Sequence, residues 1–521
     1  MRTRAAECLI PAGGGTSRAS VVGVPRESPA AGDCRVVGGG GACWSIRVSW
    51  PRRLGGECQV SQLDLARIQF AMTSIYHFLF VPLTIGLAFL TAILQTAWHR
   101  SHREDYLRLT RFFGVLLLIN VAVGVVTGLV QEFQFGMDWS AYSRTVGGVF
   151  GAPLAMEGLA AFFLESTFLG VWVFGWDRLR PRVHLAAIWM VAIGSALSAA
   201  FIMAANSWMQ HPVGYKIDSS TGRPELSSIG AVLTNPVFIR GYLHVLLASA
   251  VTGSVVMLAV AAWHLRRGRQ VDLFKRAARL ALVVLAPAIV LAMLVGSELG
   301  VTEAKYQPMK IAASEAQWTT CQPCSFSLFQ IGGGNADHTP TKIIKIPHLL
   351  SLLATNTWNG QVQGLDELQS QYEQQYGPGN YVPNVFVQYW SMRVMAYSAT
   401  LVFLFALWGL WLLRRKRLET SRLFLRVAVW IAVLPFVMNT AGWLLTENGR
   451  QPWIVQGIQL TKNGLSPSID TTTVAISLIL FLVLYGTLAI VDYVLMRRYA
   501  RKEISEPAPE DTAEPVPSMT Y

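Results

Sequence analysis

The sequence predicts an all-α polytopic membrane protein with nine transmembrane helices. Hydrophobic residues make up 52% of the 521 residues and charged residues only 14%, which is far from the balance of a soluble globular protein. Runs of about 20 apolar residues, long enough to cross roughly 30 Å of hydrocarbon, recur along the chain. Each run is continuously apolar, whereas membrane strands would alternate over about ten residues, so the predicted spans are helices.

The predicted helices follow one another with short connections in all but one place. They lie at residues 70–98, 112–131, 150–176, 184–208, 237–263, 277–297, 388–413, 423–446 and 472–495. The exception is the segment 298–387 between helices six and seven, which is polar and rich in Gly, Gln, Asn and Pro. Structureless loops of that length are uncommon inside a domain and are usually functional or disordered. The chain therefore divides into a membrane part at 60–297, a loop, and a membrane part at 388–496.

Basic residues predict the orientation of the helices. Clusters of Lys and Arg follow helices one, three, five, seven and nine, whereas the alternate loops hold few. Loops rich in Lys and Arg stay in the cytoplasm, so the long loop and the start of helix one lie outside, and the tail at 497–521 is cytoplasmic. The net charge of +12 then reflects topology and indicates no nucleic-acid partner.

Residues 1–59 do not fit this plan. They are rich in Gly, Arg, Ser, Ala and Pro, show no helical or strand period, and contain four of the six cysteines. We expect either that translation begins at Val60, so that this leader is untranslated, or that it is a disordered tail.

Ionisable residues at membrane depth are the first functional candidates, because they are costly there. His77 in helix one and His244 in helix five are the only histidines well inside the predicted spans, and histidine is a common ligand of haem iron. For each histidine a hydrogen bond to a neighbouring helix is the alternative. In helix three, Glu157 and Glu165 are eight residues apart, about 80° around a regular helix. They could line one polar seam, as a proton relay requires, whereas the alternative for a single buried acid is a structural role.

Further candidates lie near the ends of helices seven and eight. Arg393 precedes Met395 by two residues, and a thioether can complete a His/Met iron site, although most membrane methionines only pack. Trp443 and Glu447 lie one turn apart, and Arg450 follows them. An arginine at this depth suits a buried carboxylate or propionate.

Five stretches closely resemble subunit I of cytochrome bd, the quinol-oxidising terminal oxidase of bacterial respiratory chains. They are "RIQFAMTSIYHFLFVPLTIG", "EFQFGMDWS", "FGAPLAMEGLAAFFLESTF", "NSWMQHP" and "ENGRQPW". The resemblance runs from about residue 63 to residue 498, and it implies that the protein lies in a bacterial cell (inner) membrane. It implies a low-spin haem b, a high-spin haem b and haem d in this chain, a second subunit with room for small accessory subunits, and contact with membrane lipid. It implies electrogenic oxidation of quinol outside and reduction of O₂ to water with cytoplasmic protons, without copper and without a pump.

The resemblance also implies roles for individual residues. His244 and Met395 would be the axial pair of the low-spin haem b, while His77 and Glu447 would ligate the other two haems in an order that stays open. Trp443 would sit between the haems. Arg67, Arg393 and Arg450 would lie near haem carboxylates. Proton delivery would involve Glu132, Glu157, Glu165, Ser166 and Ser198.

Within the long loop, "YQPMKIAASEAQW" resembles the quinol-binding loop of the family. Lys310 and Glu315 would then contact the head group of ubiquinol or menaquinol, where a carboxylate can accept a hydroxyl proton. From the residues alone they would be ordinary solvated charges. The loop also contains "CQPC", in which Cys321 and Cys324 could form a structural disulfide, a redox-active pair or, with His338 and His348, a zinc site.

Two alternative functions share some of these features. A copper-containing haem oxidase needs a cluster of histidines, and two intramembrane histidines are too few. A transporter or channel suits buried acids and a basic cytoplasmic face equally well, although no internal repeat is visible.

Overall fold

The computed structural model describes residues 61–504, and within that range nine helical spans are long and apolar enough to cross a membrane. The predicted fold class is therefore confirmed. The leader expected at residues 1–59 and the tail beyond residue 504 lie outside the described residues.

The nine membrane-spanning helices occur in the predicted order, and shorter helices lie between some of them. They are α1 (Gln62–Ser101), α2 (Glu104–Met137), α3 (Ser140–Met156), α4 (Phe163–Phe174), α5 (Pro181–Gln210), α6 (Ile229–Leu233), α7 (Pro236–Leu265), α8 (Val271–Tyr306), α9 (Pro308–Ser314), α10 (Leu349–Thr355), α11 (Leu365–Tyr376), α12 (Val385–Arg414), α13 (Arg422–Trp430), α14 (Leu434–Arg450) and α15 (Thr471–Ala500). The nine spans are α1, α2, α3 with α4, α5, α7, α8, α12, α13 with α14, and α15.

Two spans are not regular α-helices throughout. A π-helical turn at Glu157–Phe162 joins α3 to α4, and a 3₁₀ turn at Ile431–Val433 joins α13 to α14. Several helices are also longer than the apolar runs that predicted them. For example, α8 continues through a polar last turn to Tyr306, nine residues past the predicted end. Hydropathy detects only the part of a helix that suits lipid, so it misses such extensions.

Helices α1 and α7 cross in close contact at two glycines. A Cβ atom on Gly86 would lie 2.2 Å from the carbonyl oxygen of Ser249, and one on Gly253 would lie 2.8 Å from Cα of Gly86. Small residues allow this approach of membrane helices. His77 and His244 each precede their glycine by nine residues, which is about 14 Å along the axis and about half a turn around it. They therefore lie at similar depth and point to opposite sides of the helix pair.

Short antiparallel strand pairs occupy the connections between spans. They are β1 (Tyr215–Ile217) with β2 (Pro224–Leu226), β3 (Phe326–Ile331) with β4 (Thr341–Ile346), and β5 (Trp453–Val455) with β6 (Gln459–Leu460). The segment between the sixth and seventh spans holds α9, the β3–β4 hairpin, α10 and α11. It packs around two small apolar clusters, one containing Trp318 and Leu365 and the other containing Phe326 and Leu350. This segment is therefore folded rather than structureless.

Candidate functional site

A cavity of about 780 Å³ lies among α1, α2, α5, α14 and the third span. Its volume falls in the upper part of the range of roughly 300–1,000 Å³ found for cofactor and ligand sites. Nine of the residues singled out from the sequence line it, namely Arg67, His77, Glu132, Glu157, Glu165, Ser198, Trp443, Glu447 and Arg450. The fold thus gathers residues from five separate spans around one space.

His77 is held in one orientation by a neighbouring helix. Its Nδ1 atom lies 3.0 Å from the hydroxyl oxygen of Thr127 on α2. That hydroxyl is also within hydrogen-bond distance of the carbonyl oxygens of Val123 and Gly124, so its single hydrogen is directed to the backbone. The hydroxyl therefore accepts a hydrogen bond from Nδ1–H of His77, which leaves the lone pair of Nε2 free. A histidine ligand of a metal is usually prepared in this way.

Glu447 is bound on both carboxylate oxygens. The amide of Asn206 on α5 donates to Oε1 at 2.7 Å, and the guanidinium of Arg450 donates to Oε2. Arg450 also donates to the carbonyl oxygen of Ile454 and is itself buried. Each carboxylate oxygen retains a second lone pair for another ligand.

Trp443 lies one turn before Glu447 on α14 and faces α1. Its indole stacks on the ring of Phe78 with the centroids 4.9 Å apart and the planes 19° apart. Phe78 directly follows His77, so this stack connects the parts of α1 and α14 that carry the two candidate iron ligands.

The acids of the third span both face α5. Ser198 donates to Glu157 at 2.6 Å, and Ser195 donates to Glu165 at 2.7 Å. The π turn that begins at Glu157 winds less per residue than an α-helix. The angle between the two acids around the axis is therefore smaller than the 80° expected for a regular helix. Ser166 is exposed and donates to the main chain. The serine that contacts Glu165 is Ser195, not Ser166.

His244 and Met395 lie away from this cavity, on α7 and α12. Nδ1 of His244 donates to the carbonyl oxygen of Ala292 on α8 at 3.0 Å, so its Nε2 lone pair is also free. Each side chain faces a glycine: a Cβ on Gly296 would lie 3.0 Å from the His244 ring, and one on Gly442 would lie 3.1 Å from the sulfur of Met395. By contrast, His184 has both ring nitrogens engaged, by Gln95 and by the carbonyl of Trp172.

Lys310 and Glu315 are only 1% and 2% exposed, so they are not solvated surface charges. Glu315 accepts two hydrogen bonds from Arg393, at 2.7 and 3.0 Å. Arg393 also donates to the main-chain carbonyls of Ser314 and Ser327. Two residues for which the resemblance implies separate roles therefore form one buried ion pair between the loop and α12.

Lys310 belongs to a second buried network. Its ammonium donates to Glu303 at 2.9 Å and to Gln210 at 2.5 Å. Lys342 lies instead near Glu315 and Arg393; burial lowers its pKa, and its ammonium donates to Gln317 at 2.8 Å.

Sequence reasoning assigned no role to several residues that hold the candidate ligands. Thr127 and Ser195 fix His77 and Glu165, while Asn206 and Gln210 contact Glu447 and Lys310 from α5. The sequence did contain a signal for Asn206 and Gln210. Both lie in "NSWMQHP", four residues apart and therefore on one helix face.

The two loop cysteines are joined to each other. A disulfide links Cys321 to Cys324, so their thiols are not available to a metal. His338 stacks on Trp318, and His348 stacks on Trp358. Among residues 61–504 no three His, Cys, Asp or Glu side chains converge as a metal-ion site, and the zinc alternative has no support there.

Comparison with known proteins gives one consistent result. The family model for cytochrome bd terminal oxidase subunit I matches residues 65–504. The chain is 42% identical to cytochrome bd ubiquinol oxidase subunit 1 of Bacillus subtilis, over 88% of this chain and 97% of the relative. It is 38% identical to cytochrome bd-II ubiquinol oxidase subunit 1 of Escherichia coli, over 84% and 96%. Its fold is similar to the bd oxidase structure from Geobacillus thermodenitrificans, with a TM-score of 0.77 and 30% identity over 85% of this chain and 98% of that one.

Proposed function

This chain belongs to the cytochrome bd terminal oxidase subunit I family, and from that premise we propose that it is the haem-carrying subunit of an electrogenic quinol:O₂ oxidoreductase. The observation that carries the proposal is the single cavity lined by His77, Glu447 and the two glutamates of the third span. It combines two candidate iron ligands with candidate proton carriers around one cavity.

The residues present fit the haems that such an enzyme requires. His77 and His244 each keep a free Nε2 lone pair, because Nδ1–H is committed to a neighbour. His77 and Glu447 would serve the high-spin haem b and haem d, in either order, and Arg450 and Arg67 would face haem carboxylates. His244 and Met395 would serve the low-spin haem b. Haem iron supplies the one-electron steps and the site for O₂.

Quinol would meet Lys310 and Glu315 in the loop between the sixth and seventh spans. The carboxylate of Glu315 is suited to accept a hydroxyl proton, and its position is fixed by two hydrogen bonds from Arg393. Arg393 is two residues from Met395 on α12. This short separation would place electron entry beside the low-spin haem.

Protons for O₂ would travel along the third span. Glu165 and Glu157 each have a serine hydroxyl of α5 within 2.7 Å, and both line the cavity that holds His77 and Glu447. Carboxyl and hydroxyl groups can pass protons between them. Quinol protons would leave outside while O₂ consumes cytoplasmic protons, so charge would be separated without a pump or copper.

A partner subunit and lipid would cover the apolar outer faces. The last span, α15, is the least buried of the nine spans in the described chain, and Ile479, Leu480 and Val483 on it are 60–65% exposed. Such faces are apolar contact surfaces in a membrane. Subunit II of the oxidase is the proposed protein partner.

The test is a reduced-minus-oxidised spectrum of the purified complex combined with haem extraction and quinol-driven O₂ consumption. The proposal predicts b-type and d-type signals, and O₂ consumption that depends on ubiquinol or menaquinol. A colourless, fully folded protein would contradict it and would favour the transporter alternative.

A further inference from the structure

A file of polar side chains connects the loop lysine Lys310 with Glu447 in the cavity. Nζ of Lys310 donates to Oε1 of Gln210 at 2.5 Å, and Nε2 of Gln210 donates to Oδ1 of Asn206 at 2.8 Å. Nδ2 of Asn206 then donates to Oε1 of Glu447 at 2.7 Å. These three bonds join a loop residue to a cavity residue through two side chains of α5.

The chemistry of the two ends fixes the direction of this file. An ammonium group can only donate hydrogen bonds, and an ionised carboxylate can only accept them. Both amides must therefore accept from the loop side and donate toward the cavity. Gln210 and Asn206 are only 2% and 5% exposed. Buried hydrogen bonds that point in the same direction polarise one another.

The file is not needed simply to hold the loop against α5. Gln307 already does so, since its side-chain amide donates to the main-chain oxygen of Gln210 at 2.5 Å. Nor do the amides offer a proton path, because an amide N–H does not ionise in the working pH range. What the file can transmit is charge: a change at Lys310 alters the polarity of the bond that reaches Glu447.

We propose that Gln210 and Asn206 are positioning residues that couple the charge at Lys310 to the haem served by Glu447. This inference rests on the proposed function. Hydrogen bonds donated to a ligand carboxylate withdraw electron density from it and favour the reduced iron. Loss of the file should therefore lower the midpoint potential of that haem.

The experiment is an equilibrium redox titration of the purified haem-containing complex, followed at each haem band. Gln210→Met and Asn206→Leu should shift one high-spin haem to lower potential and leave the low-spin haem unmoved. Lys310→Met should shift the same high-spin haem in the wild-type background and shift it less in the Gln210→Met background, because the file is already broken. Such non-additivity is the signature of a direct coupling.

Gln307→Met is the matched control. It removes a buried bond between the same loop and the same helix end but leaves the file intact, so neither potential should move. If Asn206→Leu fails to assemble, the Lys310 and Gln210 variants decide, since neither side chain touches Glu447. Unmoved potentials, an equal shift in Gln307→Met, or additive shifts in the double variant would overturn the coupling. A complex without haem would instead overturn the proposed function.

Discussion

Replacing Arg393 by methionine should release the loop between the sixth and seventh spans from α12. The guanidinium makes two hydrogen bonds to Glu315 and further bonds to the carbonyls of Ser314 and Ser327. Methionine is of comparable length but donates none of them. Glu315 would then be left buried without the guanidinium that pairs with it.

The expected cost follows from burial. The side chains of Arg393 and Glu315 are 0% and 2% exposed, so solvent screening does not weaken the pair. Removing one partner of a buried ion pair typically costs about 3–5 kcal/mol. At about 1.4 kcal/mol per factor of ten, the population of undocked loop should rise by a factor between roughly 140 and 4,000.

Limited proteolysis of the loop in the intact complex measures this population when opening is fast relative to cleavage. The double variant Arg393→Met with Glu315→Gln should be cleaved more slowly than Arg393→Met, because it leaves no unpaired charge. The matched control is Asp366→Asn, which breaks the exposed pair between Asp366 and His338 in the same loop and should cost no more than about 1 kcal/mol. Equal cleavage of the single and double variants would show that the unpaired charge of Glu315 does not cause the release of the loop.

Three further predictions concern the spans. Replacing His244 or Met395 by alanine should remove the low-spin haem b signal and stop quinol oxidation while the other haem signals persist; a normal low-spin spectrum in both variants would contradict the pairing. Glu157→Gln and Glu165→Gln should slow O₂ consumption at full haem content, because an amide cannot release a proton; stopped-flow reduction of the low-spin haem should stay normal, and full turnover would end the relay hypothesis. Gly86→Val should prevent assembly, since its Cβ would lie 2.2 Å from a backbone oxygen; recovery of a stable complex in detergent would contradict the close crossing of α1 and α7.

The sequence predicted the features that depend on neighbouring residues. A membrane helix needs only a continuous apolar run, so all nine spans were found, as was the unusual placement of His77 and His244 within them. The π turn between Glu157 and Glu165 was missed, because it depends on how the third span packs rather than on a local composition signal.

Pairings between distant residues were beyond the reach of sequence reasoning. Glu315 and Arg393 are 78 positions apart, and Asn206 and Glu447 are 241 positions apart. Nothing in the composition around Glu315 distinguishes a buried charge from a solvated one, since burial is set by the folded loop. The resemblance named Lys310 and Glu315 as a quinol site but did not reveal the partners that hold them.

We propose that His77 and Glu447 hold two haems in one cavity. The most direct test is haem extraction and quantification from the purified complex and from the His77→Ala and Glu447→Ala variants, beside the low-spin spectrum of the same samples. We expect each variant to lose haem from the cavity and to retain the low-spin haem b between α7 and α12. Full haem content with unchanged spectra in both variants would contradict it.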